Sequence, residues 1–322
     1  MALTLPTFTE RDDYEKGFSA YFDKEIAPCL AEADETRLAA LALVKKRSRI
    51  AYPVIAALIL CCLLVGLTII NANRSGGKVA GDLIGMFFIG IIVLLAWVNQ
   101  PAKDAISYEK ELLVPKVAGF FGTFTYQNRG AVSYDDVLRG RIVPGGSAGV
   151  MATEALSGTQ GGKQVDICHL STLRHEGKRN AVVFAGFYVK ISVTKKFSGV
   201  TVVMDGHEPH LSNSSDLQDV SLEDPDFARM YKVMSSDQIE ARYLLAPDLM
   251  EHLKELSALH GNNWLQCSFI DQTLTIAIRT PAELFPTTSI TSPEHDEEDV
   301  HIILTRLHSV LSVVDLLEDH LD

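Results

Sequence analysis

Three stretches of the chain carry residue types that could do chemistry. Gly145, Ser147 and Gly149 spell the Gly-x-Ser-x-Gly pattern in which hydrolases hold a nucleophilic serine on a strained turn. That turn needs a strand entering the serine and a helix leaving it. Here Pro144 sits directly before the motif, and the run behind it, Arg141 to Val143, is short. The downstream chain also lacks the strand and helix alternation of such an enzyme, so a flexible loop is expected and a membrane-tethered hydrolase using Ser147 is the alternative. Asp205 to His210 gathers one Asp, one Glu and two His, but all on one loop interrupted by Pro209. Metal sites draw on ligands of fixed spacing or on a supporting element, so a solvated loop with neither metal nor cofactor is expected. Glu240, Arg242 and Tyr243 form the third group, as interaction or structural residues. Two apart on a helix, Glu240 and Arg242 do not face each other, and Arg242 is expected to reach a buried carboxylate elsewhere. Binding of an anionic ligand is the sharper alternative.

Whatever positions these groups must be read relative to two apolar runs. Tyr52 to Ile70 has no charged side chain, and its 19 residues reach about 28 Å as a helix, one hydrocarbon thickness. Gly81 to Val98 has only Asp82, at its start. Both runs should insert as helices, because hydrocarbon offers the backbone no outside partner. Lys45, Lys46, Arg47 and Arg49 precede the first run, Lys103 and Lys110 follow the second, and the link between them holds only Arg74 and Lys78. That bias predicts a cytoplasmic location for both termini. Tyr52 and Trp97 fall where aromatic rings rest at the membrane interface. Gly81 and Gly85 form a GxxxG, expected to let the two helices of the hairpin approach. No acid, base or His lies deep in either run, which speaks against a proton relay. An oligomeric channel or transporter accessory subunit is therefore a third, weaker reading.

Composition narrows the partners. The net charge is −12, but residues 206–322 hold 22 Asp and Glu against 6 Lys and Arg, leaving a basic remainder. An acidic body repels phosphate backbones, so nucleic acid is not an expected partner; the lipid bilayer and a protein partner or homo-oligomer are. Five scattered cysteines form no disulfide framework or zinc spacing, in keeping with a reducing compartment.

Along the chain, Thr9 and Asp12 suggest the cap of a long helix with Tyr14, Phe18, Phe22, Ile26 and Leu30 as its stripe, interrupted at Pro28, and Ala33 to Arg49 a second helix. Pro101 to Phe121 reads as a helix limited by Pro115. Val165 to Leu173 and Asn180 to Phe197 read as strands, the second half-buried with Val183, Ala185, Phe187, Val189, Ile191 and Val193 inward. Asp224 to Met230 reads as a short helix. A capping box at Ser235 opens Asp237 to Leu245, Pro247 to Gly261 is a helix, and Trp264 to Ile270 pairs with Leu274 to Arg279 as a hairpin. The final helix carries Ile303, Leu307, Val310, Val314, Leu317 and Leu321 as a short seam, expected to pack on its own domain or on the N-terminal helix, with pairing to another subunit as the alternative.

Four runs, Val183 to Phe187, Leu222 to Phe227, Asp237 to Leu245 and Ser268 to Asp271, resemble a two-pass bacterial inner-membrane family catalogued as a domain of unknown function, numbered three-one-three-seven. The resemblance implies an inner-membrane protein with a cytosolic α+β domain and brings no reaction or ligand. The expected fold is α+β. N-terminal cytosolic helices (1–50) lead into a transmembrane helical hairpin (51–99), followed by a cytosolic antiparallel-sheet-plus-helix domain (100–322). The expected role is non-enzymatic protein binding or scaffolding at the membrane.

Overall fold

The computed structural model describes residues 7–71, 77–130, 132–144, 148–206, 216–259, 264–281, 283–285 and 297–321. After a 3-10 turn at Asp13–Glu15 come α1 (Phe18–Tyr21), a π turn (Phe22–Ile26), α2 (Ala27–Asn71) and α3 (Gly77–Ala118). Then follow β1 (Thr123–Arg129), α4 (Tyr134–Gly140), β2 (Gly149–Gln160), β3 (Lys163–Glu176), β4 (Arg179–Ser192), β5 (Thr201–Asp205) and β6 (Gln218–Asp219). The chain closes with α5 (Pro225–Met230), β7 (Tyr231–Ser235), α6 (Gln238–Leu244), α7 (Pro247–Leu259), β8 (Leu265–Ile270), β9 (Thr273–Arg279) and α8 (Glu297–Leu321). Its contacts divide it into one unit built on Ala27–Leu112 and another built on Pro6–Ile26, Leu113–Pro286 and Asp296–Asp322.

In the first unit, α2 and the body of α3 pair side by side. A Cβ added at Gly90 would meet Leu58 Cδ1 at 3.8 Å, and Arg47 Nη1 donates to the Trp97 carbonyl at 2.7 Å. Tyr108 donates to Glu32 further along the same pair. Away from this seam the helices are bare: Leu63 is 60% exposed, Phe88 59% and Ile92 64%. Both helices are long and apolar enough to cross a membrane, and neither apolar window is more than 11% buried. A core helix of a soluble protein buries such a window, since each large apolar side chain left in water forgoes about 1.5–3 kcal/mol.

The N-terminal stretch is not one long helix. Gly17, at φ +87°, breaks it, and the chain reaches α2 through the π turn. Pro28 follows that turn; it lacks the N–H that would close the rung to Lys24, and the wider turn passes it without a stop. Phe18, Phe22 and Ile26 are buried all the same. Pro115 does not limit α3 either, because only one rung is lost and the helix ends at Ala118.

Among the described residues the second unit is built on one antiparallel sheet of nine strands, in the order β1-β2-β3-β4-β9-β8-β5-β7-β6. The long strand β4 is not half-buried. Phe187, Val189 and Ile191 are buried on one face of β4, and Phe184 and Tyr188 on the other. Both faces are covered because α4 docks on the Tyr188 side. Val137 packs with Cys168, Phe184, Trp264 and Ala277, and Tyr188 donates its hydroxyl to the Asp136 carbonyl at 3.2 Å. On the Phe187 side lies α8, whose Arg306 guanidinium carbon is 5.9 Å from the Phe187 ring centre. Gly186 has no room for a side chain: an added Cβ would strike the Ile278 carbonyl and lie 2.9 Å from Arg279 Cα on the adjacent strand.

The capping box of α4 also fixes a charge. Ser133 Oγ and N donate to Asp136 Oδ2 at 2.6 and 3.0 Å, and Lys190 Nζ to Oδ1 at 2.9 Å. Partial burial works against the carboxylate, but these donors outweigh it and lower the Asp136 pKa to about 2. A depressed carboxyl stabilises the fold fully above its unfolded value near 3.8 and ceases to do so as the pH falls toward about 2. Asp136→Asn should therefore flatten the loss of thermal stability across that window in detergent-solubilised protein. Gly186→Ala should lower stability by about 2 kcal/mol or more at all pH values, because backbone, not a flexible side chain, stands in the way.

Candidate functional site

The Glu240 group sits where β4, β5, β7 and α6 meet. Thr201 pairs with Ser235 in the ladder, and their hydroxyls lie 3.0 Å apart. Ser236 Oγ accepts from Val200 N at 2.8 Å. Asp237, not Ser235, is the N-cap of α6: its Oδ1 accepts from Ile239 N and Glu240 N, each at 3.0 Å, and these bonds hold its pKa below the usual carboxylate range. Glu240 reaches back to the turn after β4, where Oε1 accepts from Ser198 N and Oε2 from Gly199 N, both at 2.7 Å. Both carboxylates are thus engaged in closing the corner. Gly199 permits the closure, since a Cβ there would lie 2.8 Å from Asp237 Cβ.

Among the described residues Arg242 reaches carbonyls and an amide oxygen, not the expected buried carboxylate. Nε donates to the Ser221 carbonyl, Nη1 to the Gln238 carbonyl and Nη2 to Gln238 Oε1, each at a long 3.4 Å, and the side chain is exposed. The helix turns Ala241 and Leu244 into the core and displays Ile239, 82% exposed, and Tyr243, 56% exposed, one turn apart. Lys195 Nζ lies 4.6 Å from the Tyr243 ring centre, and Lys196 beside it is exposed. What the corner offers is a stiff apolar pair rimmed by cations. Ile239 and Lys195 were not singled out from sequence; the only available signal was an apolar residue between the cap Asp237 and the turn-binding Glu240 in the helix's first turn.

A second cluster joins the N-terminal segment to α8. Glu15 is fully buried; its Oε1 lies 2.6 Å from His301 Nδ1 and its Oε2 accepts from Arg11 N at 2.6 Å. One turn along, Tyr14 bonds Thr305 at 2.8 Å and stacks on His308 at 4.1 Å. Burial raises the Tyr14 pKa and lowers that of His308. A cavity of about 350 Å³ opens here, lined by Arg11, Glu15, Thr280, His301, Thr305 and Arg306 among others. Ile303, Leu307, Val310 and Val314 of the expected seam are buried within this unit. No local pattern could have revealed the couple, whose members stand 286 positions apart.

Tyr52 is 60% exposed and Trp97 42%, the latter with the Arg47 guanidinium carbon 4.8 Å from its ring centre. Gly85 has open space where a Cβ would stand, and Gly90 is the glycine at which α3 meets α2; the surroundings of Gly81 lie outside the described residues. Ser147 and the loop from His207 to His210 lie outside them as well, as do Gly261 and Ser292 to Asp296. The elements flanking Ser147 run helix then strand, α4 then β2, the reverse of a nucleophile elbow.

Residues 182–318 match the family described as "Protein of unknown function (DUF3137)", a likeness that runs from β4 into α8. No curated protein matches the chain. Among solved structures, the crystal structure of the mycobacterial trehalose monomycolate transport factor A, TtfA, aligns at 11% identity with a TM-score of 0.37, covering 63% of this chain and 90% of that one. A likeness so slight does not bear on the role of this chain.

Glu240→Ala should cost about 1–2 kcal/mol, because an exposed and a half-buried backbone donor lose a charged acceptor. Amide exchange at Ser198 and Gly199 should quicken first. Glu15→Ala should cost about 3–5 kcal/mol, the penalty for leaving one member of a buried couple behind. Thermal unfolding of the full chain in detergent measures both.

Proposed function

We propose that the chain is a two-pass bacterial inner-membrane protein with both termini in the cytoplasm, whose sheet domain is a non-enzymatic docking module for a protein partner. The bare apolar shafts of α2 and α3 support the membrane placement, since their described side chains are mostly exposed and hydrocarbon would cover them. The Lys and Arg at the outer ends of the two runs support the orientation.

The observation that carries the docking role is the α6 corner. Tyr and Arg are the residue types on which binding energy concentrates, and here Tyr243 and Arg242 flank Ile239 on a short helix that Asp237 and Glu240 pin by four hydrogen bonds. A surface held this stiffly loses little entropy on binding. Its cationic rim of Lys195, Lys196 and Arg242 suits a partner whose apolar patch is bordered by carboxylates.

A photo-reactive amino acid placed at Ile239 in the full chain, in cells, tests this. One discrete adduct with another protein is expected, reduced about tenfold or more by Tyr243→Ala. No adduct, or a smear independent of Tyr243, contradicts the reading; an adduct of this chain with itself replaces the partner protein by a homo-oligomer.

A further inference from the structure

We infer that the tip of the β3–β4 hairpin is a docking point for an anionic lipid surface. The two strands outrun both neighbours. β2 leaves β3 at the pair Gly149 and Leu173, and β9 leaves β4 at the pair Arg279 and Gly186. Beyond those points Arg174, His175 and Glu176 are in register with Ala181, Asn180 and Arg179 of β4. Gly177, at φ +63°, and Lys178 close the ribbon, and residues 174–180 are exposed throughout. A two-stranded ribbon without a third strand or a covering helix is marginal in water.

Register sorts the tip into two faces, because cross-strand partners lie on the same side. Arg174, Glu176, Arg179 and Ala181 share one; Leu173, His175, Asn180 and Val182 share the other, with Val182 59% exposed. Lys178 stands at the apex. The tip therefore concentrates three cations against one carboxylate on a protein of net charge −12. An anionic lipid surface repels the acidic residues 206–322 and attracts this projection, whose guanidinium groups match headgroup phosphates. A nucleic acid would need a broader basic surface than one ribbon tip supplies. The same chain carries two helices long and apolar enough to cross a membrane, which would hold headgroups at high effective concentration. The inference rests on the bilayer placement proposed above.

The test uses the full-length protein in lipid nanodiscs and reads amide exchange over residues 174–181. Discs of phosphatidylcholine are compared with discs containing one-third phosphatidylglycerol. Exchange should slow by about fivefold or more in the anionic discs at low salt, the effect of roughly one cation at a charged surface, and recover at high salt. The combined variant Arg174→Gln, Lys178→Gln and Arg179→Gln should abolish the difference with exchange elsewhere unchanged; if it disturbs the rest of the fold, the salt dependence decides. Equal exchange in both lipids overturns the proposal, as does protection that follows the number of protein copies per disc, which would mark a second copy as the occupant. A protein that enters no disc removes the bilayer placement and this docking point together. One that enters discs without tip protection removes only the latter.

Discussion

The structure turns on a mismatch of solvent. Leu60, Leu63, Leu64, Phe88, Ile89 and Ile92 project from α2 and α3 with more than half their surface bare, while the sheet unit buries its largest apolar residues almost completely. Two surfaces so different cannot both be optimal in water. Hydrocarbon around the helices makes the difference intelligible, because it rewards an apolar exterior and demands the internally bonded backbone that only a helix or closed barrel provides. Among the described residues α2 and α3 meet near Gly90 and Leu58, at Arg47 with Trp97 and at Tyr108 with Glu32, and in a bilayer lipid tails would compete with the partner helix for the same apolar surface.

In the sheet unit, polar groups are spent on closing corners. Asp136, Asp237 and Glu240 each accept from backbone N–H groups of a neighbouring turn or helix start, and Glu15 does the same within the N-terminal segment while meeting His301. These carboxylates fix how short elements seat on a sheet that could otherwise hold them only by apolar contact. Asp136, Asp237 and Glu240 are thereby committed to holding these elements, while Glu15 also lines the cavity beside α8. The side chains left outward on α6 are an isoleucine, an arginine and a tyrosine, a set better suited to contact than to chemistry.

Much of this was legible in the residues. The apolar runs gave the two long helices, the Asp271-Gln272 turn gave the last hairpin with Asp271 at φ +55°, and Pro247 gave the start of α7. Three features escaped for physical reasons. The double burial of β4 depends on α4, a seven-residue helix whose capping box at Ser133 is visible but whose docking partner is not. The break at Gly17 hid behind an intact four-residue stripe, since a π turn keeps Phe22 and Ile26 inward while changing register. A carboxylate is the expected partner of Arg242 because a bidentate pair fixes how elements dock; here the nearby Asp237 and Glu240 are engaged by backbone donors.

Sided protease digestion measures the membrane placement most directly. In spheroplasts carrying the full chain with a tag at its C-terminus, the tag should resist external protease until detergent dissolves the bilayer, while the protein stays with the membranes through alkaline carbonate washing. Digestion of the tag before detergent, or release of the protein by carbonate, would contradict the account.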